Sequence, residues 1–143
     1  MLLGEAILER QFVYDSIDRL FENIRSYIKR RDKISLHDLE RELRRFEEVC
    51  LQYQQYSIMI DRAKHITKVN IGDNDISLKD AELLKSSIEK KISLLEVIFE
   101  DLINSDIEDF DMIGFEKTIY NLKLDVKNLS NKIEGRYWSV EVK

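Results

Sequence analysis

Apolar residues recur at steps of three and four along most of the chain, the spacing of amphipathic helices. Leu3, Ala6, Ile7, Val13, Tyr14, Ile17, Leu20, Phe21, Ile24, Tyr27 and Ile28 form a first stripe, interrupted at Arg10 and ended by Arg30-Arg31-Asp32-Lys33. Ser35 with Asp38 three residues on has capping-box spacing, with Asp in place of the usual Glu, and Ile34 can act as a hydrophobic staple on Leu39. A second stripe follows: Leu36, Leu39, Leu43, Phe46, Cys50, Tyr53 and Ile60, reaching Ile66. The periodicity breaks over Lys68–Ile76. The same start signal then returns as Ser77 with Asp80. A third stripe runs Ala81, Leu84, Ile88, Ile92, Leu95, Ile98, Phe99 and Leu102. Residues 104–112 are acidic and carry no stripe. The fourth stripe is Phe115, Ile119, Leu122, Val126, Leu129 and Ile133, after which Gly135 suits a left-handed helix cap. In the tail, Trp138, Val140 and Val142 alternate with Ser139, Glu141 and Lys143, which is strand spacing.

These patterns predict an all-α chain: helices over about 2–31, 36–66, 78–103 and 113–134, with an extended tail over 136–143. Short connections favour antiparallel neighbours, hence a single domain over 1–143 built as an up-down-up-down four-helix bundle. Such an order sets the 1–2 and 3–4 turns at one end and the 2–3 loop with the tail at the other. Val69–Ile76 has hairpin character, with Gly72 and Asn74 able to turn the chain. The expectation is a small β element there, at one end, with the tail paired to it.

Composition narrows the functional classes. The 143 residues include no proline, 4 glycines and 1 cysteine, which excludes a disulfide framework or a cysteine zinc site and argues against a loop-rich chain. No apolar run approaches the ~18 residues of a membrane span. Glu5 and Glu9 interrupt the opening stretch, so no secretion signal is expected, and the predicted compartment is cytoplasmic. The net charge of -5 disfavours general nucleic-acid binding. The charges are nevertheless segregated. Residues 25–45 hold eight basic groups (Arg25, Lys29, Arg30, Arg31, Lys33, Arg41, Arg44, Arg45) against four acids, and residues 96–116 hold eight acids and no base. Mutual neutralisation, within or between chains, is the first reading of that division. A basic site for an anionic partner is the second.

No residue set meets the needs of catalysis, a cofactor or a metal. The histidines, His37 and His65, lack the Glu-x-x-His spacing of a di-iron bundle, since Ile34 and Arg62 precede them by three. Asp109-x-Asp111 with Gly114 mimics the start of a calcium loop, but Ile113 and Tyr120 fall where ligands belong. Arg31-x5-His37 has the loose spacing of the Arg and His in helical ribonucleases of the HEPN type, and it straddles a predicted helix break. Cys50 lies on a core stripe, where a structural thiol is expected. Tyr53 and Tyr56, among Gln52, Gln54 and Gln55, read as core and core edge in preference to a stacking surface.

The surplus of apolar positions is more informative. Leu51 and Ile58 lie outside the main stripe of helix 2, and Leu94, Val97 and Ile103 outside that of helix 3. A second stripe calls for another helix, and the expected partner is a second copy in a homo-oligomer, most simply a C2 dimer.

Three segments resemble the septicolysin-like family of small, helical, uncharacterised prokaryotic proteins. Met1–Arg10 is similar to the family's opening Leu-x-Glu-Ala-Leu-x-x-Arg run. Ile60-Asp61-Arg62 through Gly72-Asp73 to Ser77-Leu78 resembles its long helix, Asp-Gly loop and Thr-Leu helix start, and Leu129–Val142 its closing Leu-Asp-x-x-Ile-Gln-x-x-Asn-Trp pattern. Two features depart from it. Asp61-Arg62-Ala63-Lys64-His65 stands in place of Arg-Ile-Asn-x-Thr-Asn, and the longer proline-containing linker between the first two helices is missing. The resemblance implies a helical fold, self-association and no assigned catalytic residue. Taken together, the sequence points to a self-associating helical protein with a structural or interaction role. The alternatives are a nucleic-acid-binding or RNA-cleaving module using the Arg25–Arg45 region, and a membrane-active, haemolysin-like protein, as the family name implies.

Overall fold

The start signal at Ser77 works as its spacing predicts. Its Oγ accepts a hydrogen bond from the Asp80 N–H at 3.0 Å, which satisfies one of the orphan donors at a helix start. The computed structural model describes residues 1–30 and 36–143. Four long helices carry the fold: α1 (Leu3–Lys29), α2 (Leu36–Ile66), α3 (Leu78–Ile103) and α4 (Met112–Tyr137). One antiparallel two-stranded sheet, β1 (Lys68–Ile71) and β2 (Asn74–Ser77), joins α2 to α3. The fold is therefore all-α with a small β element. The Ser35–Asp38 cap, the Ile34 staple and Arg31 lie outside the described residues.

The chain forms two compact units, Met1–Ala63 with Trp138–Lys143, and Lys64–Tyr137. In the first unit, α1 and α2 run antiparallel. Tyr14 meets Tyr53 with ring centroids 5.7 Å apart, and toward the other end Tyr27 and Glu42 line a common groove. The start of α1 lacks a side-chain cap at Leu2. Instead Glu5 Oε2 accepts from the Leu2 N–H at 2.7 Å, half of a capping box.

In the second unit, the hairpin register pairs Val69 with Ile76 and Ile71 with Asn74 around a two-residue Gly72-Asp73 turn. Gly72 has φ 62°, at the first central position, where type II′ turns take glycine. Asn74, an expected turn residue, instead begins β2. α3 and α4 pack antiparallel: Phe99 stacks on Phe115 at 5.9 Å, and Lys123 Nζ reaches Glu96 at 2.8 Å.

The helix bounds of α2 and α3 match the sequence pattern. Two other expectations need correction. Gly135 does not end the last helix. It lies inside α4 without a left-handed φ, and the helix continues to Tyr137. Glycine in a helix costs only about 1 kcal/mol, and just beyond it Tyr137 lies under Lys64 Nζ, 5.7 Å from the ring centre. The tail, in turn, does not pair with the hairpin. Its bridge is to the chain start, Leu2 with Glu141, through Leu3 N–H to Val140 O at 2.8 Å and Val142 N–H to Met1 O at 3.0 Å. Strand spacing set the tail's alternation but not its partner.

Candidate interaction surfaces

The stripe residues of α1 differ in burial, with Ile7, Ile17 and Tyr27 intermediate. Leu3, Ala6, Val13, Leu20 and Ile24 are buried, whereas Tyr14, Phe21 and Ile28 are about half exposed. From Leu36 to Met59, α2 buries no residue at all. Between the two helices, two neighbouring grooves of about 410 and 570 Å³ share Phe12, Val13 and Gln52. Phe12 stands on the rim, 64% exposed. Polar groups along the grooves include Arg19, Asn23, Glu42 and Arg45 in one and Glu9 and Gln55 in the other. They do not converge on a single point in a way that would define a small-molecule site. Tyr53 and Tyr56 are both half-buried. Tyr53 faces a smaller cavity of about 230 Å³ with Arg10 and Gln11, so Arg10, which breaks the stripe, lies at a wet edge of the helix pair.

The basic region keeps local partners. Arg41 pairs with Asp38 at 3.0 Å, and Arg25 reaches Glu22 at 4.0 Å while lying over the Phe21 ring at 5.6 Å. Arg44 and Arg45 are exposed, with Glu40, Glu47 and Glu48 exposed nearby in sequence. Alternating signs on one helix are the mark of a solvated face more than of a phosphate track. His37 is exposed, and its spacing partner Arg31 lies outside the described residues. Cys50 is a free, half-buried thiol.

In the acidic stretch, Asp111 has a structural task. Its Oδ1 accepts from the Gly114 N–H at 2.9 Å, which makes it the cap of α4, and Asp109 takes a left-handed φ of 64° in the preceding loop. The calcium-like spacing is thus used by a turn and a helix start. Among the described residues, no three His, Cys, Asp or Glu side chains are placed to hold a metal ion. Nor is any described helix long and apolar enough to cross a membrane.

Two arrangements escaped sequence reasoning. The first is the strap formed by the tail on the start of α1. Trp138 covers Gly4 so closely that a Cβ there would lie 2.9 Å from three indole carbons. The Met1 ammonium pairs with Glu141 at 2.8 Å, and that hydrogen bond raises its pKa above the ordinary value. A glycine in a first helical turn and a lone tryptophan are the only sequence signals for this seat. The second is a polar knot in the other unit. Lys64 bonds Glu82 Oε2 at 2.9 Å beside Tyr137, and Lys132 Nζ donates to Asn70 O at 3.0 Å. The second Glu82 oxygen is buried without a hydrogen-bond partner among the described residues.

The outer faces hold the surplus apolar residues. Leu51 and Ile58 on α2, and Leu94, Val97 and Ile103 on α3, are between 52% and 59% exposed. Among the described residues, 23 large apolar or aromatic side chains are exposed and 14 apolar residues are buried. What fold and surface together define is an all-α protein whose helices each carry more apolar surface than the chain itself covers. No family model, curated protein or solved structure matches the chain.

Proposed function

We propose that this protein is a self-associating helical protein of the septicolysin-like kind, with a structural or interaction role in the cytoplasm and no catalytic step of its own. The observation that carries the reading is the exposed second stripe. Isolated exposed apolar residues are common on any surface. Here Leu51 and Ile58, seven apart, and Leu94 and Val97, three apart, share faces at helical spacing, and periodic apolar residues on a helix are the signature of a face that another helix covers. A second copy of the chain is the simplest source of such a helix, since an isologous contact uses one surface twice. The grooves along α1 and α2 offer shape but no convergent chemistry, which favours a packing role over turnover.

Light scattering on the purified chain at micromolar concentration tests the reading. An oligomer at a multiple of 17.1 kDa is expected. A single species at 17.1 kDa across the accessible concentration range would overturn it.

A further inference from the structure

The outward face of α3 has a charge order that selects one mode of pairing. Leu83, Lys90, Leu94, Val97 and Asp101 follow one another at steps of three, four and seven, so they share one face of the helix. Every one of them is exposed. Ile92 and Ala81, on the opposite side, are buried. Along this face the charge changes sign once. Lys90 lies before the apolar pair Leu94 and Val97, and Asp101 lies after it. Neither makes an ion pair among the described residues, although Lys85 pairs with Glu89 and Glu96 with Lys123.

From this we infer that two copies of the chain pair through α3, antiparallel about a two-fold axis between Leu94 and Val97. The inference rests on the self-association proposed above and specifies its surface. In an antiparallel helix pair, seam positions of one helix meet seam positions of the other in reverse order. Setting Leu94 of one copy against Val97 of the second also sets Lys90 against Asp101. The two-fold axis repeats this pair, giving two opposite-charge contacts around an apolar centre. A parallel pair would instead stack Lys90 on Lys90 and Asp101 on Asp101. Sliding the antiparallel pair by one heptad places Leu94 against Lys90 and Asp101 against Leu83. One register alone therefore satisfies both the apolar and the charged positions, and the alternatives are penalised by like charges or by a charge facing an apolar group.

The same logic supplies the test. Chain one carries K90E, and chain two carries D101K. Both positions are exposed, and circular dichroism checks the helix content of each variant. Each variant alone should dimerise at least ~10-fold more weakly than wild type by sedimentation, because every charged contact becomes repulsive. An equimolar mixture should recover a dimer, since each helix then faces its complement throughout. A mixture that stays as weak as the single variants overturns the inference. A wild-type dimer whose affinity is unchanged by either variant also overturns it, while leaving self-association in place. A wild-type monomer overturns both. The direction of pairing is decided by a C50S/K90C/D101C chain, which also serves if the charge variants lose helix content. Mild oxidation should link it into a covalent dimer and leave C50S/K90C monomeric, and failure to link, or linking of C50S/K90C, overturns the antiparallel pairing.

Discussion

Residues Leu36–Met59 and Thr67–Ala81 use apolar residues to different ends. The first segment has eleven (Leu36, Leu39, Leu43, Phe46, Val49, Cys50, Leu51, Tyr53, Tyr56, Ile58, Met59), and none is buried. The second has five, of which Val69, Leu78 and Ala81 are buried and Ile71 and Ile76 half-buried. Apolar content therefore does not decide burial. Where the chain reverses in a tight hairpin, it brings its own segments against Val69 and Leu78, and the Leu78 N–H donates to Thr67 O at 2.8 Å. Along a long straight helix, one neighbour covers one stripe, and the remainder stays in water until something else covers it. One region contributes to the buried core, and the other, like the outer face of α3, leaves its apolar residues exposed or half-exposed.

That contrast can be broken from the stability side first. Leu78 is fully buried, so Leu78→Ala should cost about 2–5 kcal/mol and lower the midpoint of denaturant unfolding. Gly4→Ala should come next, at about 1–3 kcal/mol, because the added methyl must displace the indole of Trp138. As the chain's sole tryptophan, Trp138 reports this directly as a change in fluorescence. Ser77→Ala removes the cap of α3 and should cost about 1 kcal/mol, read in the same unfolding assay. The smallest effect concerns pH. The Met1 amine has a raised pKa in the folded chain, so its pairing with Glu141 contributes fully below the amine's ordinary pKa and is lost as pH rises through the raised value. Trp138 fluorescence should accordingly titrate on the alkaline side. An N-terminally acetylated chain should show no such transition.

The sequence made the helices legible where local chemistry and long-range packing agree. Ser77 and Asp80 mark the start of α3, and the stripe from Phe115 to Ile133 is buried or half-buried throughout. The surplus positions Leu51, Ile58, Leu94, Val97 and Ile103 were equally legible, since each breaks the period of its own helix and each is exposed. What the sequence did not reveal depends on contacts between distant segments. Gly135 has the composition of a terminator, yet α4 runs on through it to Tyr137, beside Lys64. The tail's alternation named a strand, whereas the choice of Leu2 over the hairpin depends on hydrogen bonds to residues nearly the whole chain away. The Asp109–Gly114 spacing mimics the start of a metal loop, as the sequence shows, because caps and ion-binding turns draw on the same small set of residues.

The central claim is that the exposed α3 face contributes to association and not to the fold. Sedimentation equilibrium of wild type and of a Leu94→Gln/Val97→Gln chain, with thermal unfolding of each at a concentration where both are monomeric, tests it most directly. Wild type should sediment at twice the 17.1 kDa chain mass and the variant at the chain mass itself, with unfolding midpoints that differ by no more than a surface substitution causes. Equal masses for the two proteins, or a variant that loses its fold as a monomer, would contradict the account.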